Sequence, residues 1–168
     1  MPFPATAVAN EFLTIAIAEG KELSPMKLQK LVYFAHGWYL ALTGEPLISE
    51  RIEAWQYGPV IPSLYREFKE YGNAPVVTPA FEVRYDGWKP SFVVSKLGDS
   101  GDGVNKARQV IKKVWQLYGE YSSVRLSNAT HVPGSPWSEV YKEGSRHTII
   151  PDDTIKTYFR ELANAPKR

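Results

Sequence analysis

His36, His131 and His147 are the chain's whole supply of imidazole, and it has no cysteine. Thiolate nucleophiles, disulfides and thiolate-bound metals are excluded together. No two histidines stand four residues apart and no His-Glu-x-x-His run occurs, so one helix cannot hold a zinc site. Thr130-His131-Val132-Pro133-Gly134-Ser135 puts hydroxyls beside an imidazole, yet it has no Gly-x-Ser-x-Gly elbow and no evident orienting acid. It reads more simply as a helix end, with Ser135 capping a Pro136-Trp137 helix. Gly98-Asp99-Ser100-Gly101-Asp102-Gly103 does not follow Gly-x-Gly-x-x-Gly and lacks the lysine of a phosphate loop. A calcium loop starting at Asp99 would need its bidentate acid at Val110. The stretch reads as a connector capped by Asp102. These residues predict no catalytic group, no cofactor site and no metal site.

The elements that carry them are mostly helical. A first helix is expected over about 5–19, closed by Gly20. Ser24 and Pro25 read as an N-cap and a first-turn proline, because the serine oxygen accepts an orphan N–H while proline has none to leave unpaired. Leu28, Leu31, Val32, Ala35, Trp38, Tyr39 and Leu42 then recur at helical spacing on one buried stripe, and Thr43-Gly44 supplies the stop. His36, beside that stripe, reads as a hydrogen-bonded packing residue. Ser63 opens a third helix that ends at Gly72 and Pro75. Ile52 to Trp55 alternates and leads into a Gly58-Pro59 turn. Phe81, Val83 and Tyr85 alternate, Asp86-Gly87 is a hairpin dipeptide, and Ser91 to Val94 returns alongside. Val104, Ala107, Val110, Ile111, Val114, Trp115 and Tyr118 define an amphipathic helix stopped by Gly119. Short helices follow at about 123–131 and 136–143, and a last one from Asp152-Asp153 buries Ile155, Tyr158, Phe159 and Leu162. The expected fold is mainly α: one domain over 1–168, with a short extended segment near 52–57, a small β-hairpin insertion near 81–94, and a disordered Ala-Pro-Lys-Arg tail.

A chain of 168 residues, 43% hydrophobic and 13% aromatic, suffices for one core. The net charge of +2 is no nucleic-acid footprint. Lys106, Arg108, Lys112 and Lys113 share a helix, but Glu11, Glu19, Glu22, Glu67 and Glu70 interrupt the field, and no helix-turn-helix signature is clear. Phe12 to Ala18 is too short to span a membrane and lacks a positive leader. A cytoplasmic protein without membrane partner is expected.

Lys27-Leu28-Gln29-Lys30-Leu31-Val32-Tyr33-Phe34-Ala35, then Glu45-Pro46-Leu47, then Glu53-Ala54-Trp55-Gln56-Tyr57-Gly58-Pro59-Val60-Ile61-Pro62, resembles in order and spacing the SocA-like antitoxin family, also called the Panacea domain and often described in phages as GepA-like. Val114 to Gly119, Leu126 to His131, Ser135-Pro136-Trp137 and Ile155 to Phe159 look like the family's later landmarks, so the resemblance covers about 10–162. Residues 76–102 match no motif of the family. The resemblance implies a non-enzymatic antitoxin that binds and neutralises a cognate protein toxin encoded beside it. Two alternatives are kept: a phage or prophage protein that binds a host factor, and a DNA-binding transcriptional regulator. A hydrolase using Thr130, His131 or Ser135 is the weakest reading.

For a protein partner the candidate contacts are aromatic. Tyr and Trp combine a large apolar area with a polar tip, which suits an interface. Tyr57, Gly58 and Pro59, the hairpin's Phe81, Tyr85, Trp88 and Phe92, and Lys27 and Lys30, placed on the polar side of their helix, form the expected partner-binding set, with Tyr65, Phe68 and Tyr71 nearby. Trp55 is expected to be structural.

Overall fold

The computed structural model describes residues 1–145 and 147–166; Lys167 and Arg168, half of the tail expected to be disordered, lie outside it. The fold is mainly α. Helix α1 (Ala5–Ala18) has a proline as N-cap, and the carboxylate of Glu50 caps it instead, accepting the Ala5 N–H at 2.9 and 3.0 Å. An acid at a helix N-terminus also complements the positive end of the dipole. Helix α2 (Pro25–Thr43) begins at Ser24, whose Oγ accepts from Lys27 N–H, and ends at left-handed Gly44, as its sequence requires.

Strands β1 (Glu53–Trp55) and β2 (Gly58–Val60) form a tight antiparallel hairpin, and a bridge to Ile149 extends β1 on its other side. The turn is at Gln56 and Tyr57, so Gly58-Pro59 belongs to a strand and not to the expected turn. Helix α3 (Pro62–Phe68) starts one residue earlier than expected, at a first-turn proline, and runs into a 3-10 turn at Lys69–Tyr71. Strands β3 (Phe81–Asp86) and β4 (Lys89–Val94) form the second hairpin. Its two-residue loop is Gly87-Trp88, with positive φ only at Gly87, as a type II′ turn demands. Helices α4 (Asp102–Tyr118), α5 (Ser123–Thr130), α6 (Pro136–Val140) and α7 (Asp152–Asn164) complete the chain. Gly101, not Asp102, is the N-cap of α4; Asp102 pairs with Lys106 one turn on.

Helix α2 is the axis of the molecule, packed against α1, α3, α4, α5, α7 and β2. Twelve of its residues are buried, including Gln29, Lys30 and His36, so it has no broad polar face. Placing Lys30 on a polar side was therefore wrong: the single-stripe pattern counts apolar residues only, and β2 and α5 cover the remaining side. Trp38 is half-buried rather than fully inside, packed edge-on against Phe159 with its Nε1 donating to the Tyr118 hydroxyl at 3.1 Å. Leu42 is 70% exposed and Leu162 40%, because both lie on end turns that outrun the core.

At the far end, Gly37 lets Phe159 of α7 lie directly on α2, where any Cβ would overlap its ring. Phe159 is fully buried among Tyr33, Phe34, Trp38 and Tyr158. His36 pins three segments: its Nδ1 accepts from Ile48 N–H at 3.3 Å, which leaves Nε2–H to donate to Asp152 Oδ1 at 2.8 Å, at the start of α7. The expected packing role is what the structure shows.

Candidate functional site

The chain around the β1–β2 hairpin is held by side chains rather than by a wide sheet. Backbone polar groups removed from water must be paired, and here α2, α5 and α6 supply the partners. Gln29 bonds both the carbonyl and the N–H of Ile61 at 3.0 Å, Lys30 Nζ donates to the Pro59 carbonyl at 2.9 Å, and Ser127 Oγ donates to that of Tyr57 at 3.0 Å. Trp137 Nε1 donates to the Trp55 carbonyl at 2.6 Å. Gly58 sits where these meet, with φ +113°; a Cβ there would stand 2.7 Å from Thr130 Oγ1 and 2.9 Å from Lys30 Nζ. Both the backbone angle and the space require glycine.

Beside this hairpin opens a cleft of about 640 Å³. Its walls include Trp55, Tyr57, Tyr65 and Tyr141, its rim Met26 and Lys69, and Lys30 lines it from below. Trp55 packs edge-on against Tyr65 and donates to Glu53 at 2.8 Å, a structural anchor as expected. Tyr141 stacks on Trp137, which in turn lies 4.1 Å from the His131 ring. Burial lowers the Lys30 pKa to about 7, since a low-dielectric site disfavours the charged form.

Thr130, His131 and Ser135, the residues of the weakest reading, a hydrolase, all make local hydrogen bonds. Ser135 Oγ accepts from Ser138 N–H as the cap of α6 and donates to the Thr130 carbonyl at 2.8 Å. Thr130 Oγ1 donates to the Ser127 carbonyl at 2.6 Å, His131 Nδ1 makes a bond of the same length to that carbonyl, and the hydroxyl and that ring nitrogen lie 3.2 Å apart. Among the described residues no cluster of three metal-ligating side chains occurs, and no helix is long and apolar enough to cross a membrane.

Of the expected partner-binding set, the structure brings Lys30, Tyr57, Gly58 and Pro59 together. Tyr57 is 64% exposed, whereas Gly58 and Pro59 are buried. Lys27 is turned elsewhere, its Nζ on the Gly119 carbonyl and over the Trp115 ring. Phe81, Tyr85, Trp88 and Phe92 form a separate exposed group, none of them lining the cleft. Strand register puts Phe81, Val83, Tyr85, Pro90, Phe92 and Val94 on one face of the second hairpin. Trp88, 98% exposed, stands at its tip. Phe68, grouped with the surface aromatics in sequence, is a core residue.

Tyr141 and Asn10 were missed. Nothing in Tyr141's local sequence places it beside Trp55. Asn10 did carry a signal, as a lone amide in the apolar run of α1. It clamps the root of the hairpin: its Nδ2 donates to the carbonyls of Ala80 and Ser95 at 2.9 Å, and its Oδ1 accepts from Ala80 N–H at 2.8 Å.

Fold and site together define a mainly helical domain whose prominent exposed features are aromatic. Residues 28–138 match the family described as antitoxin SocA-like, Panacea domain. The chain belongs to this family. It is 33% identical over 161 residues to antitoxin SocA of Caulobacter vibrioides (strain NA1000 / CB15N), a match covering 93% of this chain and 82% of that protein. No solved structure matches the chain.

Proposed function

We propose that this protein is a non-enzymatic antitoxin that neutralises a cognate protein toxin, encoded beside it, by direct stoichiometric binding. Family membership supports an antitoxin role, and the second hairpin supports recognition by contact. An isolated two-stranded hairpin is marginally stable, and aromatic side chains are costly to leave in water. Here the hairpin is tied down at its root by Asn10 while its aromatic face stays uncovered. Exposed aromatics on an anchored element are where binding energy concentrates at an interface. Phe81, Tyr85, Trp88 and Phe92 are therefore the anchors of toxin recognition, with the Tyr57 turn as a second contact.

Replacing residues 81–93 with a short Gly/Ser linker is expected to leave helical circular dichroism intact and to weaken capture of the neighbouring gene's product by at least about tenfold, the loss of one or two anchor residues. Undiminished capture would return attention to the helix faces. His131→Ala is expected to keep neutralisation in a growth assay. A folded His131→Ala protein that binds the toxin but no longer neutralises it would overturn the non-enzymatic reading.

A further inference from the structure

Lys30 is 2% exposed, lines the aromatic cleft, and takes part in none of the ion pairs among the described residues. An ammonium has three N–H donors, and the protein engages one of Lys30's, at the Pro59 carbonyl. Among the described residues lining the cleft there is no aspartate or glutamate, and Lys69 adds a second positive charge at the rim. Walls of Trp55, Tyr57, Tyr65 and Tyr141 beside Met26 have the composition of a peptide-binding surface. The volume suits a short extended segment. We propose that this cleft binds an extended peptide segment of a protein partner, seating one side-chain carboxylate on the Lys30 ammonium and its apolar neighbours against the aromatic walls.

This rests on the reading of the protein as a binder, and it adds the chemistry of what the cleft takes. A carboxylate would occupy the spare donors of Lys30 and supply its missing countercharge, at a site where water does not screen the pair. Desolvated pairs of this kind fix register as well as adding affinity.

The test is selection from a displayed library of random internal peptides on the intact protein. The expected consensus has an Asp or Glu at one fixed position, flanked by apolar residues. Changing that acid to its amide should weaken binding to the wild type about tenfold or more and binding to Lys30→Met less than about twofold. Tyr65→Ala, at a half-exposed wall position, should weaken binding without unfolding the protein. No enrichment, a consensus without an acid, the same acid requirement on folded Lys30→Met, or a requirement for a free C-terminal carboxylate would each overturn the proposal. Toxin neutralisation by the wild type and by Lys30→Met is scored in parallel. Failure of the wild type defeats the antitoxin reading alone, whereas a peptide consensus with no acid defeats the cleft proposal alone.

Discussion

Phe159→Ala is expected to cost about 3 to 5 kcal/mol, the range for emptying a buried aromatic site. A domain of this kind holds about 5 to 15 kcal/mol in all, so the variant should have a sharply lowered thermal midpoint. The expectation is at the upper end because Phe159 is fully buried and touches four other aromatic rings. Trp38→Ala should cost less, since Trp38 is only half-buried. The cause can be isolated by pairing the change with Gly37→Ala. Alone, Gly37→Ala drives a methyl into the Phe159 ring and should destabilise. In the Phe159→Ala background the methyl fills part of the cavity, so the double variant should be more stable than the sum of the two losses. Strict additivity in urea titrations would mean that the two residues do not share the space.

Lys30 should make folding stability rise with pH. Its pKa in the folded protein, about 7, lies below its ordinary value of 10.5, so the unfolded chain binds more protons between those limits. The stabilisation is complete above about pH 10.5, falls as pH is lowered, and is gone below about pH 7, a span of a few kcal/mol at most. Lys27, also lowered by burial, adds in the same direction. Tyr33 opposes it at the top. Burial raises its pKa above the ordinary 10, so its contribution is present below pH 10 and lost above it. The urea midpoint should therefore climb from pH 7 to about 9.5 and fall beyond 10. Lys30→Met, close in shape but unable to carry charge, should flatten the climb. It should be the more stable protein at pH 6, where it avoids a buried ammonium, and the less stable at pH 9.5, where it has only lost the bond to Pro59. Parallel profiles for the two proteins would show that Lys30 is solvated.

Local rules made most of the helices legible. The Ser24-Pro25 start and Gly44 stop of α2, the apolar stripe of α4 and the serine cap at Ser135 each depend on residues within a turn or two. The same locality explains the errors. Whether Lys30 faces water depends on β2 and α5, some 30 and 100 residues away in sequence, and no periodicity carries that information. The β1–β2 turn was misplaced by two residues because Gly58-Pro59 is a strong turn dipeptide. Gly58 is needed there for a different reason, the close approach of Thr130 and Lys30. The second hairpin is legible because alternation and a turn glycine are local signals, but Asp86-Gly87 places its turn one residue early, since Asp86 pairs with Lys89, and β4 begins two residues before the expected Ser91. The cleft was only half-visible: Trp55, Tyr57 and Tyr65 come from one stretch, while Tyr141 joins them by tertiary packing.

The clamp by Asn10 makes the second hairpin an exchangeable part. Its three hydrogen bonds go to backbone groups of Ala80 and Ser95, and not to any side chain beyond them. The helical body thus grips the two ends of the excursion and reaches one step past them at Glu82, whose carboxylate accepts from Ser95 Oγ at 2.6 Å while that hydroxyl lies 2.9 Å from Thr6 Oγ1 of α1. Residues 83–92 are exposed throughout, so changes of tip sequence and surface chemistry there leave the scaffold's packing in place. One protein frame could accumulate new targets in this way faster than its core could evolve, and an engineer could transplant foreign hairpins at the same two junctions.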